Sequence, residues 1–407
     1  MGKPQPGINR ILGNALCLNN VFLIHFQAVT HDTTATTGAR RRRAPQHAAE
    51  KVFFPAAALY GGAAVPLSVH GFVSGNPLAP GLGTVAGHAH ELLFGFALAV
   101  AAGFLINRTS TARLSVLFAV WLLARALYVT LPGSTLALVA NIGFAVMLAW
   151  LTVPQFLRGA KKWRNKAIAP ILLGLCAMAA LFHAASVSTL PWLPYLALQE
   201  AVLLLTLLML FMGGRIIAPA AAGAIERAGG LLEARVQPRI EGALLILMAA
   251  LIIAAAIPGA EPLAALLALT AAVLAGIRLA RWRLWAATGR PDLWCLGLGY
   301  GWLAAGLALL ALSWITPALP QGTATHAITV GALGTLTTGV MARVRLNRAR
   351  QNPAAARTIP LTALLVGTAA LVRLLFPAHP PALAAASGLW ALAMAALVVL
   401  FARVPAR

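Results

Sequence analysis

The chain has 407 residues, of which 60% are hydrophobic and 10% charged, and its formal net charge is +22. Soluble domains carry about 25% charged residues, so this composition excludes an ordinary soluble domain. The basic residues lie in short loops between apolar runs and form no continuous basic face, which argues against a nucleic-acid partner. The apolar runs match the length of about 20 residues that a helix needs to cross a bilayer, so we predict an all-α, polytopic membrane bundle.

The first 50 residues differ from the rest of the chain. The segment "ILGNALCLNNVFLIHFQAV" is apolar but interrupted by Asn, His and Gln, and "THDTTATTGARRRR" has the composition of a disordered segment. We interpret residues 1–50 as a poorly ordered cytoplasmic tail. A misplaced start codon and a signal peptide are the alternatives that the sequence leaves open.

Residues 51–407 contain twelve apolar segments with the length of transmembrane helices. Lys and Arg lie before the first span, after the last span and at every second connection between spans, and only Arg125 and Arg373 fall outside this set, within spans. This alternation predicts that both termini are cytoplasmic and that the protein is a multi-pass, lipid-embedded protein. We predict spans near 52–72, 88–106, 114–131, 134–153, 167–187, 191–217, 242–257, 262–280, 293–314, 326–344, 359–376 and 381–402.

Cysteine chemistry is not indicated. The three cysteines, Cys17, Cys176 and Cys295, are scattered, and the chain has no CxxC or CxxCH motif. Neither a thiolate zinc site nor covalent attachment of haem is therefore encoded. Motifs for acyl transfer, phosphate binding and dinucleotide binding are also absent from the sequence, which leaves open whether the protein is an enzyme.

The histidines outside the tail share one side of the predicted membrane. Within the spans, the acidic residues Glu91 and Glu200 and the basic residues Arg125 and Arg373 are placed toward the same side. Ionisable groups inside a bilayer are costly and usually functional, so we predict one polar site in the outer third of the bundle. The tail contains His25, His31 and His47, and the outer ends of the spans contain His70, His88, His90, His183, His326 and His379.

The HAHE segment at residues 88–91 opens the second span. At 100° per residue His88 and Glu91 share a helix face, so Glu91 is a candidate hydrogen-bond acceptor for a metal-bound His88. His90 points about 200° away from His88, which suits two ligand positions or two separate centres. For His70 and His379 an interfacial position is the simpler interpretation, and a buried ion pair is the alternative for Arg125 and Glu200.

Several blocks of the sequence resemble one family of membrane proteins. "GHAHELLFGFALAVAAGFL" and "THAITVGALGTLTTGVMARV" resemble the two most distinctive blocks of the NnrS family. "EKVFFPAAALY", "LFH" at 181–183, "GGRII" at 213–217 and "DLWCLGLGYGWLAAGL" at 292–307 resemble its other blocks, in the same order. The resemblance covers about residues 51–404.

The resemblance implies a protein of a bacterial inner membrane that contains haem and copper and acts in nitric oxide metabolism, denitrification or protection against nitrosative stress. Since CxxCH is absent, the haem would be non-covalent. Glu91 and Arg215 match polar positions of the family, and Arg125 joins Glu91 as a candidate cofactor-binding residue because the topology places it nearby. The histidines that match the family, and are the candidate metal ligands, are His88, His90, His183 and His326.

Two positions depart from the family pattern. Gly87 stands where the family usually has Trp, and Gly297 stands where it usually has a histidine, so copper is supported less well than haem. A secondary transporter without haem is the main alternative function, because many transporters have twelve spans. A third alternative is that the protein is a structural partner of a nitric oxide reductase or an oxidase. The sequence does not indicate the oligomeric state.

Overall fold

The computed structural model describes residues 46–106, 109–159, 166–186 and 188–405. This part of the chain contains 12 helices that are long and apolar enough to cross a membrane, which confirms the predicted number. The helices are α1 (Glu50–Ser74), α2 (Val85–Leu105), α3 (Thr111–Thr130), α4 (Thr135–Gly159), α5 (Ile168–Ser186), α6 (Leu193–Arg227), α7 (Pro238–Ala255), α8 (Glu261–Arg281), α9 (Pro291–Ile315), α10 (Gln321–Arg348), α11 (Thr358–Leu375) and α12 (Pro380–Arg403).

The predicted tail at 1–50 lies almost wholly outside the described residues. Its last residues form a short strand β1 (Gln46–His47), which pairs antiparallel with β2 (Thr109–Ser110) between α2 and α3. The backbone N–H of Ala49 also donates to the Ile106 carbonyl at 3.2 Å. These contacts hold the start of α1 against the end of α2.

The largest difference from the predicted spans is in α6. The hydropathy pattern predicts an end near residue 217, whereas the helix continues to Arg227 and has 35 residues. The additional segment, "APAAAGAIER", is rich in alanine. Alanine has the highest helix propensity, so the helix continues after the apolar run has ended.

Three helices form the centre of the bundle. In their most apolar stretches, 78% of the residues of α2 and 72% of those of α6 and α10 are buried, against 28–56% for the other nine helices. A helix surrounded by protein can carry polar groups that lipid-facing helices cannot, because neighbouring side chains satisfy them. The central helices are also those that contain the HAHE segment, Glu200 and His326.

Both α2 and α10 change to π-helical hydrogen bonding directly after a histidine. In α2 the π segment is Glu91–Ala97 and follows His90, and in α10 it is Ala327–Ala332 and follows His326. Isolated π segments within α-helices occur frequently at functional sites. Each π segment thus lies directly after a candidate histidine of a central helix.

A glycine within each π segment gives room to a neighbouring side chain. A Cβ atom at Gly95 would lie 2.8 Å from Nη1 of Arg125, and one at Gly331 would lie 2.6 Å from the ring of Trp302. These contacts support a packing role for the glycines of both helices.

The end of the bundle away from the buried histidines contains several ion pairs. Asp292, at the start of α9, pairs with Arg290 at 2.9 Å and with Arg343 near the end of α10. Arg215 of α6 pairs with Glu241 of α7 at 2.6 Å and lies over the Phe211 ring. We call this the arginine end, and the end with the buried histidines the histidine end.

Candidate functional site

The two histidines of the HAHE segment have different surroundings although they are two residues apart. His90 is fully buried, whereas His88 is half-buried and lines a cavity. The structure therefore divides the predicted polar site into two parts, which we call the sealed network and the histidine cavity. The sealed network consists of Tyr60, His90, Glu91, Arg125, Asn141 and His183.

Glu91 is the centre of the sealed network and is fully buried. Its Oε1 accepts hydrogen bonds from Nδ1 of His90, at 2.8 Å, and from the guanidinium of Arg125. Its Oε2 accepts from the hydroxyl of Tyr60, and Arg125 also donates to Asn141 Oδ1. A buried charge is stable when it is paired and hydrogen-bonded, and Glu91 meets this condition through side chains of α1, α2 and α3.

His90 and His183 contact each other through their Nε2 atoms, which are 2.8 Å apart. Because Nδ1–H of His90 donates to the Glu91 carboxylate, Nε2 of a neutral His90 accepts, and the donor is Nε2–H of His183. Both ring nitrogens of His90 thus have partners. The carboxylate fixes the tautomer of His90, as it does in many carboxylate–histidine pairs.

Aromatic rings pack against the His90 imidazole. The ring centroid of Tyr128 lies 4.1 Å away at an interplanar angle of 27°, and that of Phe182 lies 4.6 Å away at 30°. His183 is 3% exposed and Arg125 is 2% exposed. The network is therefore shielded from water, where each hydrogen bond is stronger than at a surface.

The histidine cavity lies between the central helices at the histidine end. Its volume is about 430 Å³, within the range of small-molecule and cofactor sites. Most of its wall is apolar and includes Phe96 and Trp390. The polar side chains on its wall are few and include His88, His326, Arg373, Gln199 and Gln321.

The two cavity histidines differ in the hydrogen bonds of their ring nitrogens. Nδ1 of His326 donates to the Gly322 carbonyl at 2.5 Å, so Nε2 carries the lone pair of the neutral ring. Metal-binding histidines usually donate their other N–H to such a group. Nδ1 of His88 is buried and has no hydrogen-bond partner among the described residues. Buried polar atoms without partners are rare and call for an explanation, such as a bound ligand.

One expectation from the sequence is wrong, and another holds at only one of its two residues. Glu91 hydrogen-bonds to His90 and not to His88, because the side chains of His90 and Arg125 both reach its Oε1. Arg125 forms its buried ion pair with Glu91. Glu200 is buried in α6 and has no ion pair among the described residues.

The structure explains both glycines that depart from the family pattern. A Cβ atom at Gly87 would lie 2.0 Å from the Gly81 carbonyl oxygen, because a short turn packs against the start of α2. Thr84 caps this helix by accepting from the Gly87 N–H at 3.0 Å. At Gly297, the side chain of Leu284 occupies the space, with its Cδ1 2.4 Å from a built Cβ. No histidine side chain fits beside Leu284 without movement.

Sequence reasoning missed several residues that complete the two parts of the site. Tyr60 and Asn141 complete the sealed network, and Tyr128 packs on His90. These three side chains carry no formal charge at neutral pH, so a search for charged residues and histidines within the spans does not find them. Arg373 was placed on the correct side as an intramembrane charge, but its position on the cavity wall requires the packing of α11 against α10.

The other residues that the sequence analysis considered lie outside both the sealed network and the histidine cavity. His70 and His379 are exposed, in agreement with an interfacial position. Arg215, in its pair with Glu241, lies at the arginine end. Within the described residues no group of three or more His, Cys, Asp or Glu side chains could hold a metal ion. The four candidate ligands instead form two pairs, His90 with His183 and His88 with His326.

The fold and the site define a multi-pass helical membrane protein with buried histidines at one end of its central helices. The family model described as NnrS protein matches residues 48–407, and the chain belongs to the NnrS family. Membership fits a membrane protein of the nitric oxide response. No curated protein and no solved structure matches the chain.

Proposed function

We propose that the protein binds a non-covalent haem in the histidine cavity and acts with it in the response to nitric oxide. The observation that carries this proposal is a cofactor-sized apolar cavity lined by two imidazoles, of which His326 has an available Nε2. Family membership supports the same cofactor. Haem binding needs one or two axial imidazoles and an apolar pocket, and the cavity has both.

The residues on the cavity wall have distinct roles in this proposal. Nε2 of His326 is the first candidate for an axial ligand, because its Nδ1–H is already held by Gly322. His88 is the second candidate. The guanidinium of Arg373 is the nearest lining cation and would pair with the carboxylates of the haem. The bound haem would supply an iron centre that nitric oxide can ligate.

Copper, if present, would be held by His90 and His183. Their Nε2 atoms converge, and Glu91 accepts from the other ring nitrogen of His90. Metal–nitrogen bonds of about 2.0 Å require the two nitrogens to separate beyond their present 2.8 Å, so the ion would replace the hydrogen bond between them. Haem and copper would then occupy different parts of the site.

The membrane orientation belongs to the same proposal. The positive-inside rule places the arginine end in the cytoplasm and the histidine end at the periplasmic side of a bacterial inner membrane. Reporter fusions after Gly81, Pro132 and Gly322 should be periplasmic, and fusions after Lys162 and Arg350 should be cytoplasmic. A cytoplasmic signal from the Gly322 fusion would contradict this orientation.

The experiment that tests haem binding is an absorbance spectrum of the full chain, purified from haem-replete cells. We expect a Soret band and α/β bands that acid acetone removes, and a shift of the Soret band when nitric oxide is added to the reduced protein. His326→Ala should abolish or shift these bands. His70→Ala is the matched control, because His70 is exposed outside the cavity.

A folded and colourless wild-type protein would refute the proposal. The main alternative, a secondary transporter without haem, would then explain the central cavity better. Transport of a small solute into vesicles, lost on closing the cavity, would support that alternative.

A further inference from the structure

A second cavity lies between the same central helices and continues the line of the histidine cavity toward the arginine end. Its volume is about 100 Å³, and we call it the inner cavity. Each central helix passes from one cavity to the other within a few residues. On α2, Phe96 lines the histidine cavity and Ala97 the inner cavity, and on α6 the change occurs between Leu203 and Leu205.

The side chain of Leu333 lies between the two cavities. It lines both of them and is 5% exposed. It is the first residue of α10 after the π segment. Because Leu333 has a cavity on each side, a change of its side-chain rotamer would connect the two cavities without movement of a helix.

The inner cavity is apolar. Among the described residues that line it, Thr337 alone has a side-chain hydroxyl or amide. That hydroxyl donates to the Leu333 carbonyl at 2.6 Å within its own helix. A buried water molecule needs two to four polar partners, and this wall does not supply them. Apolar cavities of similar size bind xenon and other small apolar solutes.

We propose that the inner cavity is a docking site for a small uncharged gas molecule and that it supplies the histidine cavity through Leu333. The proposal rests on the proposed function, since it gives a nitric oxide ligand a second apolar cavity beside the histidine cavity. The volume excludes a second haem, and the described residues of the wall include no charged side chain. Apolar surroundings favour small apolar solutes over water.

Xenon is the probe that tests the cavity independently of haem. We would measure protein-bound xenon by saturation-transfer NMR on the full chain in nanodiscs. Wild type should give a bound-xenon signal, and Val340→Phe should lose it because Val340 lines the inner cavity and not the histidine cavity. Val273→Phe is the matched control, since Val273 is 54% exposed on α8. Leu208→Phe, also on the cavity wall, replaces Val340→Phe if that variant does not fold.

The proposal would be overturned if wild type gave no bound-xenon signal. It would also be overturned if Val340→Phe and Val273→Phe gave equal signals. So would an acyl chain found bound in the cavity in place of the gas. In haem-loaded protein, Val340→Phe should also slow nitric oxide association by about threefold or more with an unchanged haem spectrum. If wild type contains no haem, the proposed function fails while the xenon measurement still decides on the inner cavity.

Discussion

The sealed network and the histidine cavity begin on the same helical turn but satisfy their polar groups in opposite ways. In the network, each nitrogen of His90 has a protein partner, and Glu91 accepts three hydrogen bonds. In the cavity, a ring nitrogen of His88 has no partner among the described residues. A histidine whose nitrogens are satisfied by protein stabilises the fold, whereas one with an available nitrogen is suited to a ligand.

The difference arises from the neighbours of α2. On one side, α3 brings Arg125 to Glu91 and Tyr128 to His90, and α5 brings His183 to His90. On the other side, the histidine cavity lies between parts of α2, α6 and α10, and His88 lies on its wall. The four following experiments are ordered by the size of the expected effect and test whether the two parts are independent.

The largest effect is expected from Glu91→Ala. This change leaves Arg125 buried without its carboxylate, and breaking a buried ion pair costs about 3–5 kcal/mol of unfolding free energy. Denaturation of the purified protein in detergent measures the loss. Glu226→Ala is the control, since Glu226 is exposed and its removal should change stability by less than about 0.5 kcal/mol. Equal stability of the two variants would show that Glu91 is not central to the network.

A smaller loss of stability is expected from His183→Ala. The change removes the partner of Nε2 of His90, and a buried acceptor without a donor costs about 1–3 kcal/mol. The haem bands should stay unchanged, while copper content should fall if the pair holds that metal. His326→Ala should have the opposite effects. It should change the haem bands and leave the stability of the haem-free protein nearly unchanged. Loss of haem in both variants would mean that the two parts form one site.

Tyr60→Phe tests the contribution of one hydrogen bond to Glu91. Hydrogen bonds to charged groups contribute about 1.5–3 kcal/mol, and Arg125 and His90 remain as partners of the carboxylate, so we expect a loss toward the lower limit. Denaturation of the purified variant measures it. Tyr195→Phe, at an exposed tyrosine of α6, is the matched control. An unchanged stability of Tyr60→Phe would contradict the hydrogen bond between Tyr60 and Glu91.

The smallest effect is expected from Arg373→Gln. Arg373 is only partly buried, and exposed ion pairs contribute about 0–1 kcal/mol, so haem affinity should fall by at most about fivefold. A haem titration of the haem-free protein measures the change, with Arg403→Gln at the arginine end as the control. A loss of all haem binding would show that Arg373 does more than pair with a carboxylate.

The sequence by itself determined the class of protein, the number of helices and the candidate histidines. Hydropathy depends on about 20 consecutive residues, so spans such as α4 and α9 can be recognised without knowledge of their neighbours. The family blocks likewise are local in sequence, and the family model confirms them over residues 48–407. His88, His90, His183 and His326 are among the polar groups that stand out in apolar surroundings, and the family resemblance selected these four as candidate ligands.

Only the tertiary structure decided how these residues are grouped. The expectation that Glu91 would support His88 considered helix rotation alone, whereas the Glu91 carboxylate accepts from His90 and is also held by Arg125 and Tyr60 of neighbouring helices. The pairing of Arg125 with Glu91, over a separation of 34 residues, depends on how α3 packs against α2. The cavities also require the structure, because a void is defined by side chains of several helices that are distant in sequence. Local propensity depends on neighbours along the chain, whereas ligand sites depend on neighbours in space.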